Sequence, residues 1–473
     1  ERLSGSRRVG SVAMWLTVGY YPLVYWSLRG TEVALLSFWI CAACLLSLRV
    51  QAGGGRRDVF LLAGIGGLAF LTRPDAIVAM AVMDGWVILN VPRQDRRRLA
   101  TALFGSLLAV VATSTIFREL YYGQLLPNTY YLKVSGTPLG IRLRRGSAAL
   151  FATWAKELGL PSVLAAWAWI RHRADRPLTL VLGVVLAQIV YDWYAGGDVW
   201  DFAGVTSRYV VVVCPLLLAA TSVAVADIAA GRLSLRDRAG LAAGVTAWLL
   251  VRWSGYLPWS TLLGPGRLSP DSRFWRLALP SLAVLLLVVL LGIRPIQAAG
   301  RVGLGRAAVV AMVVALGLVM SARWLDTWVH DRGYFVADDD ALAQLAMSFR
   351  MDTSPRVSIA GVAVGQFGYY SDRTIIDLFG KTDSVVAHTP PHRLPYFLPG
   401  HDKWDYSYSV GTLRPDITPR LPDATPTDMQ DLTRWGYQPL DGTGWWIRTA
   451  SAGSFDEVDL IPALRDFDRR ISG

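Results

Sequence analysis

Cysteine is nearly absent from this chain: three in 473 residues, Cys41, Cys44 and Cys214, each inside an apolar run. That scarcity excludes a disulfide framework and a cysteine-based metal site, and the three read as packing residues. Histidine is scarce too, with five in all. His388 and His392 have a metal-like spacing, but Pro390 and Pro391 lie between them and no cysteine or third histidine joins them, so no metal and no cofactor is expected. Residues 327–473 lack any apolar run long enough to cross a bilayer. They also lack positive charge, with 14 Lys plus Arg against 20 Asp plus Glu, net −6, so residues 1–326, with 33 against 16, carry +17. The basicity behind the pI of 9.7 therefore lies between apolar runs. There it marks loops at a membrane surface, and a nucleic-acid partner is excluded.

What the sequence does have is hydrophobicity. At 53% apolar residues and a mean hydropathy of +0.36, it is too apolar for a soluble protein of this length. Apolar runs lie near 12–27, 33–48, 59–72, 76–91, 99–118, 158–170, 177–195, 209–226, 240–257, 274–293 and 305–322. They predict a polytopic α-helical membrane protein with about eleven spans in residues 1–326, followed by an extracytoplasmic α/β domain in 327–473. The chain opens on Glu1 with no signal peptide, and the expectation is an N-terminally truncated piece of a longer protein.

Charge orients the spans. With a cytoplasmic N-terminus, arginine clusters such as Arg7-Arg8, Arg56-Arg57 and Arg96-Arg97-Arg98 fall inside, following the positive-inside rule. The unusual polar clusters then all face outward: Thr31-Glu32, Arg73-Pro74-Asp75, Tyr121 to Lys133, Gly196-Gly197-Asp198 through Arg208, and the tail. A shared external site is the economical explanation. Arg73 lies between short spans, where it either pairs with Asp75 at the break made by Pro74 or holds a phosphate while Asp75 fixes its guanidinium. Gly123 and Pro127 stop the preceding helix, opening a polar aromatic loop that contains Tyr122, Asn128 and Lys133. Asp198 and Asp201 are each a candidate sugar-hydroxyl acceptor, general base or simple partner for Arg208, with the partner role favoured for Asp201. Residues 142–157 read as an amphipathic helix on the membrane, with Arg142, Arg144 and Arg145 toward headgroups. In the tail, Arg356–Val364 and Thr374–Leu378 read as strands, residues 365–368 as a turn and Gly442-Thr443-Gly444 as a hairpin turn. Residues 389–422 are either an irregular loop over the membrane site or a linker.

Several stretches occur in an order that resembles a known family: Thr31-Glu32-Val33-Ala34-Leu35-Leu36, Leu71-Thr72-Arg73-Pro74-Asp75, Tyr121 to Lys133, and Gly196-Gly197-Asp198 with Arg208 and Pro215-Leu216-Leu217. The set is similar to bacterial GT-C membrane glycosyltransferases, which use a polyprenyl-phosphate sugar at the outer side of the cytoplasmic membrane. Ile376-Asp377 with Gly380, Ala387-His388-Thr389 and Gly400-His401-Asp402-Lys403 further resemble the actinobacterial terminal arabinofuranosyltransferases. In that family an Asp-Asp pair with the expected catalytic base would precede residue 1. The aromatic run Asn128-Thr129-Tyr130-Tyr131 departs from the arabinosyl branch.

The resemblance implies a multi-pass protein of the bacterial cytoplasmic membrane that transfers a sugar, arabinofuranose in the first instance, to a cell-envelope polysaccharide. Its donor would be bound by Arg73, Asp75, Tyr122, Asn128, Lys133 and Arg208, and its acceptor by His401 and Lys403. Asp198 is a candidate for the chemistry, and membrane lipids are the further partners. A transporter or flippase for lipid-linked glycans, or a non-catalytic membrane scaffold, are the rival readings. A transporter would show internal repeats and charges at mid-membrane, neither of which is evident.

Overall fold

The computed structural model describes residues 6–172, 175–203, 206–231, 233–254, 309–321, 324, 336–392, 394–455 and 457–472. The chain divides into two compact units, Glu1–Leu125 with Pro138–Asp326 and Leu126–Thr137 with Thr327–Gly473. The segment 126–137 therefore belongs with the tail, which a single division after residue 326 does not anticipate.

The first unit is helical. In order come α1 (Arg7–Val18), α2 (Tyr21–Leu28), α3 (Val33–Gln51), α4 (Arg56–Thr72), α5 (Ala76–Asn90) and α6 (Arg93–Tyr122); α7 (Asn128–Lys133) lies in the second unit. After it follow α8 (Leu139–Thr153), α9 (Gly159–Arg171), α10 (Arg176–Ala195), α11 (Arg208–Val211), α12 (Cys214–Ala229) and α13 (Leu235–Ser254). A further apolar helix covers Val309–Ser321. Among the described residues, three helices, α3, α6 and α10, are long and apolar enough to cross a membrane. Helix α6 spans 30 residues, or about 45 Å at 1.5 Å per residue. It leaves Leu108, Ile116, Phe117 and Leu120 exposed, a surface that water does not favour and lipid does.

Ten of the apolar runs fall on these helices in whole or part, and the run near 274–293 lies outside the described residues. Two runs are broken. Pro22, in the first turn of α2, starts a new helix after Gly19 and Tyr20, and Pro215 does the same at the start of α12. Helix α12 is the hub, packed on α1, α9 and α10. Helices α8 and α9 join through a π-helical turn, Trp154–Leu158.

The second unit is α/β. Its sheet runs β2-β1-β3-β5-β4, with β1 (Ser358–Gly361), β2 (Thr374–Asp377), β3 (Ile417–Pro419), β4 (Tyr437–Pro439) and β5 (Trp445–Arg448). Strands β2, β1 and β3 are parallel, and β4 and β5 form an antiparallel hairpin. Strand alternation sends Ile359, Ile417 and Ile447 to one face, against Leu345 and Phe349 of the helix Val336–Asp352 and Leu460 and Leu464 of the helix Glu457–Ser472. Ala360 faces the other layer, which holds Leu378, Trp404, Val410 and Leu432. Both faces are covered, as a parallel sheet requires.

Three local expectations are corrected here. Residues 365–368 lie inside a helix, Val364–Ser371, because the connection between two parallel strands needs a crossover. Residues 389–422 contain a π-helical stretch, Ser407–Thr412, and β3, so they contribute to the sheet. Asn128–Lys133, expected as loop, is the short helix α7.

Candidate functional site

In the first unit, polar groups gather where apolar helices end. Pro74 breaks the chain between α4 and α5, and Arg73 caps α4 in extended conformation. Its guanidinium makes a fork with Asp75, Nε to Oδ1 at 2.6 Å and Nη2 to Oδ2 at 2.9 Å, while Nη1 donates to Glu32 at 3.0 Å. Gln188 of α10 donates to the same Asp75 Oδ2 at 3.3 Å. The Arg73 guanidinium also lies 5.1 Å from the centre of the Tyr209 ring, whose edge meets Tyr191.

Tyr209 is preceded by Arg208, which makes a second fork with Asp198: Nε to Oδ2 at 2.7 Å and Nη2 to Oδ1 at 3.0 Å. Arg208 lies over the ring of Trp26, whose indole nitrogen donates to the Thr206 carbonyl at 2.9 Å. Ser207 donates to Asp192 at 2.6 Å. Glu32 links the two forks electrostatically. Burial works against its charge, but a backbone hydrogen bond and then Arg73 and Arg208 hold its carboxyl below the usual value.

A third arginine joins from α8. Arg145 donates to the Gly196 carbonyl, to the Asp198 carbonyl at 2.8 Å and to Asp201 at 3.2 Å. Gly197 makes this approach feasible: its φ is +81°, and a β-carbon there would lie 2.4 Å from Asp201 Oδ2 and 2.6 Å from Arg145 Nη1. Burial pushes the Asp201 carboxyl well above its ordinary value, against the opposing pull of Arg145.

The pairings differ from the expected ones. Asp198, not Asp201, is the partner of Arg208, and Asp201 belongs to Arg145. Asp198 is fully buried with both oxygens engaged, a geometry that holds an arginine rather than one that accepts a proton. Arg142 and Arg145 point inward and are buried; Arg144 alone of the three is exposed.

The six donor-site residues fall in three places. Arg73, Asp75 and Arg208 share the network just described, whereas Asn128 and Lys133 belong to the second unit. Tyr122 ends α6 and is exposed, with its ring against Tyr121, and Gly123 at φ +64° terminates that helix. Sequence reasoning missed Gln188, Asp192 and Arg145. The first two are polar residues four apart in an otherwise apolar helix, a spacing that puts them on one face. Arg145 shares its face with Arg142 and Ala149, at helical spacing beside Gly146, which marks a close contact.

In the second unit, Asn128 donates to the Lys381 carbonyl at 3.5 Å, and the His388 ring lies against Tyr131 at a tilt of 39°, centres 4.1 Å apart. Lys403, expected toward an acceptor, is 1% exposed, and its ammonium donates to the carbonyls of Tyr131 at 2.9 Å and Ala387 at 3.2 Å. It ties α7 to the tail instead of facing outward, and burial lowers its ammonium pKa. His392 stacks on Trp404 with ring centres 3.9 Å apart. His401 is half-buried and accepts from Lys381.

A family model described as a domain of unknown function (DUF8728) matches residues 334–449. That range covers the five-stranded sheet up to the end of β5. No curated protein and no solved structure matches the chain.

Proposed function

We propose that the protein is a glycosyltransferase of the bacterial cytoplasmic membrane, moving a sugar, arabinofuranose on the resemblance, from a polyprenyl-phosphate donor to a cell-envelope glycan at the outer face. The observation that carries this reading is the pair of arginine forks, Arg73 with Asp75 and Arg208 with Asp198, gathered with Trp26, Tyr191 and Tyr209 where apolar helices end. Arginines held rigidly by carboxylates are pre-organised donors. All three nitrogens of Arg73 are engaged, so it positions the site. Arg208 uses Nε and Nη2 on Asp198, and its Nη1 has no partner among the described residues, so this nitrogen meets the phosphate. In transfer the bond from the sugar's anomeric carbon to the phosphate oxygen breaks, the acceptor oxygen bonds to that carbon, and the acceptor's proton passes to a carboxylate base. Charge then collects on the leaving phosphate, where a guanidinium counts most.

The test uses membranes containing the full chain and a radiolabelled polyprenyl-phosphoryl sugar. Label should move from lipid to glycan, and Arg208→Gln should slow that movement roughly 100-fold or more, the scale for loss of a charge-assisted donor to a developing oxyanion. Label that crosses the bilayer still attached to its lipid would identify a flippase and end the proposal.

A further inference from the structure

Helix α5 carries one charged side chain, Asp84, the ninth of its 15 residues. At 1.5 Å per residue it lies about 12 Å from Ala76 and about 9 Å from Asn90, in the middle of the helix. In the other apolar helices of the described residues, α3, α6, α10, α12 and Val309–Ser321, charged residues keep to the first or last six positions. A single acid leaves the run near 76–91 apolar on average, which hides it from a reading by charge clusters. Asp84 lies on the buried side of α5 with Met80, Met83 and Val87, three or four residues away on the same face, and is itself 6% exposed. Its carboxyl makes no hydrogen bond and no ion pair among the described residues. Helices α3, α4, α6 and α10 pack on α5. They hold their charges near their ends, and the titratable side chains between are the thiols Cys41 and Cys44 of α3, so no charged group faces Asp84.

An ionised carboxylate taken out of water with no partner is too costly to persist, and the group neutralises instead. Inside an apolar helix such a residue marks a site where a cation or a proton is bound. A hard metal ion needs several oxygen ligands, which Met80, Met83 and Val87 do not supply. A proton needs the carboxyl alone. We propose that Asp84 is a proton-binding site of the helical unit, occupied while α5 is packed against its neighbours and independent of whether the protein transfers sugar. Loss of the proton leaves a carboxylate that draws in water and loosens α5. The same helix begins next to the Arg73–Asp75 fork, nine residues before Asp84, so the proton also steadies the element that holds Asp75.

The test is infrared spectroscopy of the full chain in phosphatidylcholine nanodiscs at neutral pH, with the aspartate carboxyls isotope-labelled. The parent should show the carbonyl stretch of a protonated carboxyl that Asp84→Asn lacks, and the two should unfold at similar temperatures, because the amide has the shape of the neutral acid and no charge. On the parent alone, dicyclohexylcarbodiimide, which enters the bilayer and adds across the O–H of a protonated carboxyl, should leave an adduct on the peptide holding Asp84, and a water-soluble carbodiimide none. Coincident spectra of parent and Asp84→Asn, or a parent without the adduct, would overturn the site. So would a carboxylate at Asp84 that becomes the acid when sodium and potassium are replaced by choline, since that assigns the site to a metal cation.

Discussion

The arginine network of the helical unit and the lysines Lys381 and Lys403 of the α/β unit are held in different ways. In the helical unit every arginine of the network is matched to a carboxylate, two of them through forks. In the α/β unit Lys403 is held by main-chain carbonyls and the Lys381 ammonium lies 2.9 Å from the His401 Nε2. The difference follows from the surroundings. The network's guanidiniums among apolar helices offset their desolvation with full counter-charges, whereas the buried ammonium of Lys403 is met by carbonyl dipoles. A matched ion pair is costly to break from one side, and a dipole-held ammonium is less so.

The largest test of that contrast removes one side of a fork. Asp198→Ala leaves the half-buried Arg208 without its partner and should destabilise the helical unit by about 3 kcal/mol, while Asp198→Ala combined with Arg208→Ala should restore part of that loss. Thermal unfolding in detergent reads both, and a single variant as stable as the parent would break the comparison. A smaller effect is expected at Asp402 in the other unit. Burial raises its carboxyl to about 6, against the opposing pull of a backbone hydrogen bond, Lys403 and His392. A raised carboxyl contributes stability that is present below the unfolded value near 4 and is lost as pH rises through 6. The tail should therefore be more stable at pH 5 than at pH 8, by about 1.4 kcal/mol, since at pH 5 roughly half of the contribution present below pH 4 remains. Asp402→Asn should flatten that pH dependence, as denaturant titrations at the two pH values would show. The smallest expected effect is at the capping box of the helix Pro426–Arg434, where Thr425 and Asp428 cap each other's amides. Thr425→Ala should cost the tail about 1 kcal/mol and leave the helical unit's transition in place.

How much was legible in the sequence varies with the range of the interaction. The Arg73–Asp75 fork could be read because its members are two residues apart. The hairpin at Gly442-Thr443-Gly444 and the strand Thr374–Asp377 were likewise local signals. The exchange of partners between Asp198 and Asp201 was not readable, because it depends on Arg145 arriving from α8, 56 residues before Asp201. The inward turn of Arg142 and Arg145 was hidden for another reason. Arginine in an amphipathic helix usually faces headgroups, and only the small residues Gly146 and Ala149 on the same face hinted at close packing. Lys403 read as a ligand-facing cation because its carbonyl partners are backbone atoms, which no side-chain pattern reveals.

The bond from Lys403 to the Tyr131 carbonyl spans 272 residues of chain. At a synthesis rate of roughly 5–20 residues per second, α7 leaves the ribosome roughly 15–55 s before its partner does. During that interval its tyrosines lack the tail, and the tail packs onto a segment made well before it. A protein cut back to residues 334–449 would thus be missing a piece of its own body, with the ammonium of Lys403 deprived of one carbonyl that the rest of the chain supplies.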